Sequence, residues 1–251
     1  MSEIIGFRSQ VFRPLPEVLR ADAIVDRLST AISLGLIRQG EQLPVENQLT
    51  AMFGVATATV RDALQTLRER GIIETRRGRS GGTFIIGTPS TDPRVLRERL
   101  TALSMAELRD MEDEQLATGL AAVRLVIERA FPHDIDRLER IARTMADATT
   151  ADACMRADSR FHIELAALAQ SERLASTQMR LLTESSEILW SILEVAEDRD
   201  WTMADHLEIV TAVRAGDITA AENAVRLHTS RDFYRLVAAR LDSLYPIEVP
   251  E

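Results

Sequence analysis

The sequence predicts a mainly α chain in two parts: an N-terminal winged helix-turn-helix over residues 1–88, then an all-helical bundle over 89–251. Three observations carry this. Residues 20–86 run in the order helix, helix, turn, helix, hairpin. No strand-like pattern follows residue 94. Between the two lies GTPSTDPRV, whose closely spaced breakers and turn formers read as a linker. At 251 residues the chain has length for two modest domains, each with its own core.

Each element follows from its pattern. LRADAIVDRLSTAISLGLI places apolar residues at 24, 25, 28, 32, 36 and 37, a helical stripe. RQGEQLP is a turn whose Pro44 suits a first helical turn. VENQLTAMFG is a short helix closed by Gly54. ATATVRDALQTLRERG is the next, with Val60, Ala63, Leu64 and Leu67 facing inward. IIETRRGRSGGTFII is a hairpin around a basic, glycine-rich tip. Beyond the linker, helices are expected over 94–130 with a break near Ser104, then 134–148, 150–169, 172–197, 201–215 and 218–243. Asp134, Thr150, Ser171, Asp200 and Asp217 are the expected N-caps.

Composition excludes several classes. A single cysteine, Cys154, rules out an intrachain disulfide and a zinc-finger ligand set. No apolar run has membrane-spanning length, and MSEIIGFRSQ lacks the layout of a signal peptide, so a cytoplasmic protein without a membrane partner is expected. The net charge of −9 is unevenly spread: residues 1–90 carry 11 Arg against 9 acids, the remainder 19 Arg against 30 acids. Phosphate would be repelled by the second part, so any contact with double-stranded DNA belongs to the first.

A recognition helix entering the major groove needs short polar or methyl-bearing side chains in its first turn. Ala56, Thr57, Ala58 and Thr59 provide them, and Arg61 can reach a phosphate or a guanine. Arg76, Arg77 and Arg79 at the hairpin tip suit phosphates or the minor groove, and Gly81 and Gly82 allow close backbone approach.

The second part holds a different chemistry. Three of the four histidines, with one aspartate, sit at spacings that let them converge: Asp158 and His162 at i and i+4 on one helix, His206 and His228 on two others. Three imidazoles and a carboxylate suit zinc, nickel, manganese or iron. With octahedral preference two positions stay open, for water or a chelating carboxylate. The fourth histidine, His133, lies apart in FPHD, and Cys154, one turn before Asp158, reads as a small buried apolar residue rather than a ligand.

GEQLPVENQLTAMFGVATATVRDALQTLRERGIIETRRGRSGGTFI resembles the winged helix of the GntR family of bacterial transcription regulators, through its G-x-x-L-P-x-E turn, its F-G-V-x-x-x-T-V-R-x-A-L helix and G-I-I-E. The remainder resembles the metal-binding FadR-type (FCD) effector domain of that family, in which D-x-x-x-H, a second His before an apolar run and R-x-H supply four ligands. The resemblance implies a homodimeric regulator, most often a repressor, that binds a pseudo-palindromic operator under control of a carboxylate effector. Five positions depart from the pattern, one of them Ser171, which stands where relatives usually start the long central helix with Asn and can still cap it. Asn47 and Thr57 stand where many relatives have arginine, which alters the guanine-reading contacts. Gln115 and Gly119 stand where relatives carry an effector-clamping Arg and a following Glu, so Gln115 becomes the expected effector contact without adding charge. Two alternatives stay open: a metal-dependent enzyme on the bundle, although no HExxH-like motif appears, and a sensor whose signal is the metal itself.

Overall fold

The apolar stripe of the first helix becomes the buried face of α1 (Arg20–Ser33), with Ile24, Val25, Leu28 and Ile32 enclosed. Helices α2 (Glu46–Phe53) and α3 (Thr57–Glu69) follow, joined by a turn in which Gly54 adopts φ 66° and closes α2. Leu49 and Phe53 of α2 and Val60, Ala63, Leu64 and Leu67 of α3 join α1 in one core, sealed by Ile73 and Ile85 of a two-stranded antiparallel sheet. Its strands, β1 (Ile73–Arg76) and β2 (Gly82–Ile85), pair Ile73 with Ile85 and Arg76 with Gly82. The segment expected to be only a turn does more. Leu43 donates to Thr83 O, Ile85 to Glu41 O and Gly40 to Ile85 O, so residues 40–43 lie along β2. Pro44 stands before the α2 cap position, Val45, and not in the first turn.

The computed structural model describes residues 20–78, 81–88 and 92–244. It divides the chain into two compact units, residues 1–90 and 91–251. Arg79 lies outside the described residues, as does the middle of the linker.

The second unit is helical throughout its described residues: α4 (Pro93–Ala102), α5 (Met105–Arg129), α6 (Pro132–Arg143), a 3₁₀ turn (Thr144–Asp147), α7 (Ala151–Leu168), α8 (Glu172–Ile192), α9 (Val195–Ala215) and α10 (Ile218–Leu244). The expected break at Ser104 is a capping box: Ser104 Oγ accepts the Glu107 N–H, and Glu107 accepts that of Ser104. Thr150, Ser171 and Asp217 cap as expected. Two expected caps are elsewhere. Asp134 lies inside α6 and its carboxylate reaches back to the Phe131 N–H at 3.1 Å, because Pro132 needs no N–H partner and starts the helix two residues earlier. Asp200 lies inside α9. There Asp198 accepts the Glu194 N–H at 2.7 Å, and the chain breaks at extended Leu193 rather than near 197.

Long pairs of helices build the bundle. α5 packs along α10, α7 along α8, and α9 along both α10 and α6. At Gly119 of α5 a Cβ would stand 2.8 Å from Val225 Cγ1 of α10, so glycine permits this approach. The inner surfaces of α7, α9 and α10 are where the polar cluster sits.

Candidate metal centre and nucleic-acid interface

In the first unit the described residues expected to meet DNA lie on α2, α3 and the hairpin. Asn47 and Arg61 are exposed, and Thr57 and Thr59 are partly so. Arg61 Nε donates to Glu46 Oε2 at 2.7 Å across the turn between α2 and α3. Both partners are more than a third exposed, so this ion pair is weak. Arg76 donates to Glu74 at 2.6 Å and lies over the Phe84 ring, 4.6 Å from its centroid. Arg77 is exposed at the tip. Gly81 is tightly placed: a Cβ there would come within 2.6 Å of Arg76 O and 2.8 Å of Gly78 O, while its own carbonyl accepts from Gln42.

In the second unit Asp158 and His162 of α7, His206 of α9 and His228 of α10 meet, each offering one ligand atom, all within 4.8 Å of one another. His162 Nε2 and His228 Nε2 are 3.0 Å apart. Asp158 Oδ1 is 3.4 Å from His162 Nε2 and 3.3 Å from His206 Nε2. Neither contact has hydrogen-bond geometry. Asp158 Oδ1 and both ring nitrogens of His206 are therefore buried without a hydrogen-bond partner. Such groups cost about 1–3 kcal/mol each when nothing satisfies them.

The surrounding side chains fix these four. Trp190 Nε1–H donates to Asp158 Oδ2 at 3.2 Å. The Phe161 ring stacks on His206, 3.8 Å between centroids and 12° between planes. Asp205 faces His228 Nδ1 at 3.3 Å, and since a carboxylate only accepts, that nitrogen carries the proton and Nε2 turns toward the cluster. Arg231 holds Asp205 in turn.

Electrostatics divide the cluster. Burial alone would raise the Asp158 carboxyl, but His162 and His206 outweigh it and hold it well below the usual carboxylate range. Burial lowers His206 to about 3, so its ring is neutral. Burial also opposes charge on His228, but Asp232, Asp205 and Asp158 overcome it and raise this histidine to about 9. Without an ion, the 3.0 Å contact then sets a protonated His228 against His162 Nε2.

Asp158, His162 and His228 line a cavity with an empty volume of about 620 Å³, part of it open to solvent; His206 is wholly enclosed and is not part of the lining. Gln115 lines the same cavity, its carbonyl accepting from Gln178 at 3.3 Å. Cys154 lies apart, enclosed among Met145, Ala148, Met155 and Trp190.

Residues 20–85 match the family described as bacterial regulatory proteins, gntR family, and residues 119–231 match the FCD domain. Over 237 residues the chain is 48% identical to a relative named as the HTH-type transcriptional regulator RmpR of Mycobacterium gastri, covering 94% of this chain and 86% of that protein. The chain belongs to the GntR family. Like others of that family it is a DNA-binding transcription regulator and not an enzyme, which removes the catalytic alternative. A further relative, the HTH-type transcriptional repressor NanR of Enterobacter sp. (strain 638), is 25% identical over 236 residues, covering 90% of this chain and 88% of its own. Among solved structures, E. coli McbR/YncC shares the fold at a TM-score of 0.53 and 15% identity, over 88% of this chain and 99% of that one. No helix among the described residues is long and apolar enough to cross a membrane.

Several residues of this GntR-family site escaped the sequence reading. Asp232 lines the cavity, with Oδ2 3.7 Å from His228 Nε2. The signal was present: His228 and Asp232 stand at i and i+4, the spacing already noticed for Asp158 and His162. Asp205 adjoins His206 in sequence yet serves His228, a pairing set by packing and not by spacing. Glu112, Ser185 and Ser186 carry no local signal.

Proposed function

We propose that the chain is a homodimeric transcription regulator, acting as a repressor, whose affinity for a pseudo-palindromic operator is set by a small molecule bound beside a divalent metal in its helical unit. Asp158, His162, His206 and His228 hold the ion, and Gln115 touches the effector. The observation that carries this reading is the trio of buried, unpartnered atoms on Asp158 and His206. A first-row ion bound at about 2.1 Å sets neighbouring ligand atoms roughly 3.0 Å apart at right angles and roughly 3.4 Å apart at tetrahedral angles. The contacts here are 3.0, 3.3 and 3.4 Å. When bound, the ion supplies positive charge and open positions for a ligand oxygen. A carboxylate is the group such positions favour. Asp205 and Trp190 support the reading as the outer partners that orient His228 and Asp158.

On the DNA side, winged helix-turn-helix geometry puts the first turn of α3 in the major groove and the hairpin against the backbone or minor groove. Asn47, Thr57, Thr59 and Arg61 face the bases; Arg76, Arg77, Arg79 and Gly81 form the wing contact.

Elemental analysis of purified protein tests the metal reading. About one divalent ion per chain is expected, lost in His206→Ala and in a His162→Ala, His228→Ala double variant. Full occupancy in the double variant would overturn the assignment.

A further inference from the structure

The cavity beside the histidines holds more acid than its metal-site role requires. Besides Asp158 it is lined by Glu112 of α5 and Asp232 of α10, and neither arginine nor lysine is part of its described lining. Asp232 is partly matched at Oδ1 by Arg235 at 3.6 Å, but Arg235 is itself held by Asp198, which takes up its charge. Glu112 accepts a hydrogen bond from Ser230, a neutral donor, at 3.3 Å. The rest of the wall is mostly apolar, including Leu108, Met111, Leu181, Leu189 and Phe233.

Charge then decides the class of ligand. A bound ion would receive one carboxylate of a ligand. A second would meet apolar walls and the acidic side chains Glu112 and Asp232, with no arginine or lysine of the described lining to receive it. Burying charge in this way is costly unless each charge is paired. A cationic or hydroxyl donor on the ligand reverses the sign of the contact, because Glu112 and Asp232 can only accept when ionised. The apolar walls favour an equally apolar body.

We infer that the effector is an apolar molecule with a single carboxylate for the metal and a neighbouring hydrogen-bond donor, ammonium or hydroxyl, received by Glu112 and Asp232. The inference rests on the metal-pocket reading above and narrows it. Polycarboxylates are excluded from this pocket, and plain keto acids bind it poorly.

Calorimetry on metal-loaded, full-length protein tests this with one carbon skeleton. The probes are leucine, 2-hydroxy-4-methylpentanoate, 4-methyl-2-oxopentanoate and, as the polyanion, citrate. Leucine or the hydroxy acid should bind at least tenfold more tightly than the keto acid, with citrate weakest; which of the two is tighter identifies the donor. Glu112→Gln and Asp232→Asn should each weaken the donor-bearing ligand roughly ten- to hundredfold, the range for a hydrogen bond to a charged group. The keto acid should bind no more weakly, since each variant also removes an acidic group facing it, and the metal content of Glu112→Gln should be unchanged. Citrate or the keto acid binding most tightly, or the two variants leaving leucine and hydroxy-acid affinity intact, overturns the inference but leaves the metal pocket standing. Failure of the wild-type protein to hold metal overturns the pocket reading itself.

Discussion

His206 and His228 border the same point in the bundle and are pushed in opposite directions, His206 to about 3 and His228 to about 9, from an ordinary value of 6.5. Linkage turns this into a pH profile for metal-free protein. Between about pH 3 and 6.5 the unfolded chain protonates His206 while the folded chain does not, so stability rises with pH. From 6.5 to about 9 the folded chain keeps a proton on His228 that the unfolded chain has lost, so stability falls as pH rises. Chelator-treated protein should therefore melt highest near pH 6.5. With metal bound, ligation requires neutral imidazoles, so the decline above 6.5 should disappear and a decline in acid should deepen. Thermal melts at several pH values, with and without metal, check this; superimposable profiles would contradict it. That these four residues could converge was legible in the sequence because histidine is rare in this chain and helical spacing places i and i+4 on one face. Trp190 and Phe161, which contact them, were not. Their roles depend on how α8 and α7 pack.

At the scale of elements, local chemistry was readable wherever one side chain could satisfy the backbone next to it. The cap at Ser104 depends on Glu107 three residues on, and Gly54 closes α2 because it tolerates a left-handed backbone. The failures at Asp134 and Asp200 share a cause: a competing starter stood just upstream, Pro132 in one case and the Glu194–Asp198 contact in the other. The strand-like path of residues 40–43 was hidden because its hydrogen bonds go to β2, some forty residues away. The hairpin itself makes a separate prediction. Arg77 is exposed at its tip, so Arg77→Ala should leave the melting temperature unchanged. If it neutralises one phosphate, operator affinity measured against salt concentration should lose about one unit of slope. An unchanged slope would take the wing off the DNA.

For the whole molecule, the question is whether the helical unit and the winged helix share one equilibrium. An effector can alter operator affinity only by binding more tightly to one DNA-binding state than to another. The coupling is a free energy, about 1–3 kcal/mol in typical regulators, and it acts equally in both directions. In the sequence the two parts differ in element pattern and in charge, an arginine-balanced first part and an acidic second part on either side of GTPSTDPRV. Coupling has no such signature, because it is a property of two arrangements of one chain. Its direct measurement is a calorimetric titration of the tightest ligand of the leucine series into metal-loaded protein, alone and on saturating operator. The account predicts affinities that differ by about five- to 150-fold, matched by the change that the ligand makes in operator affinity. Equal affinities in both titrations would contradict it, leaving the metal a structural staple and the pocket without a regulatory role.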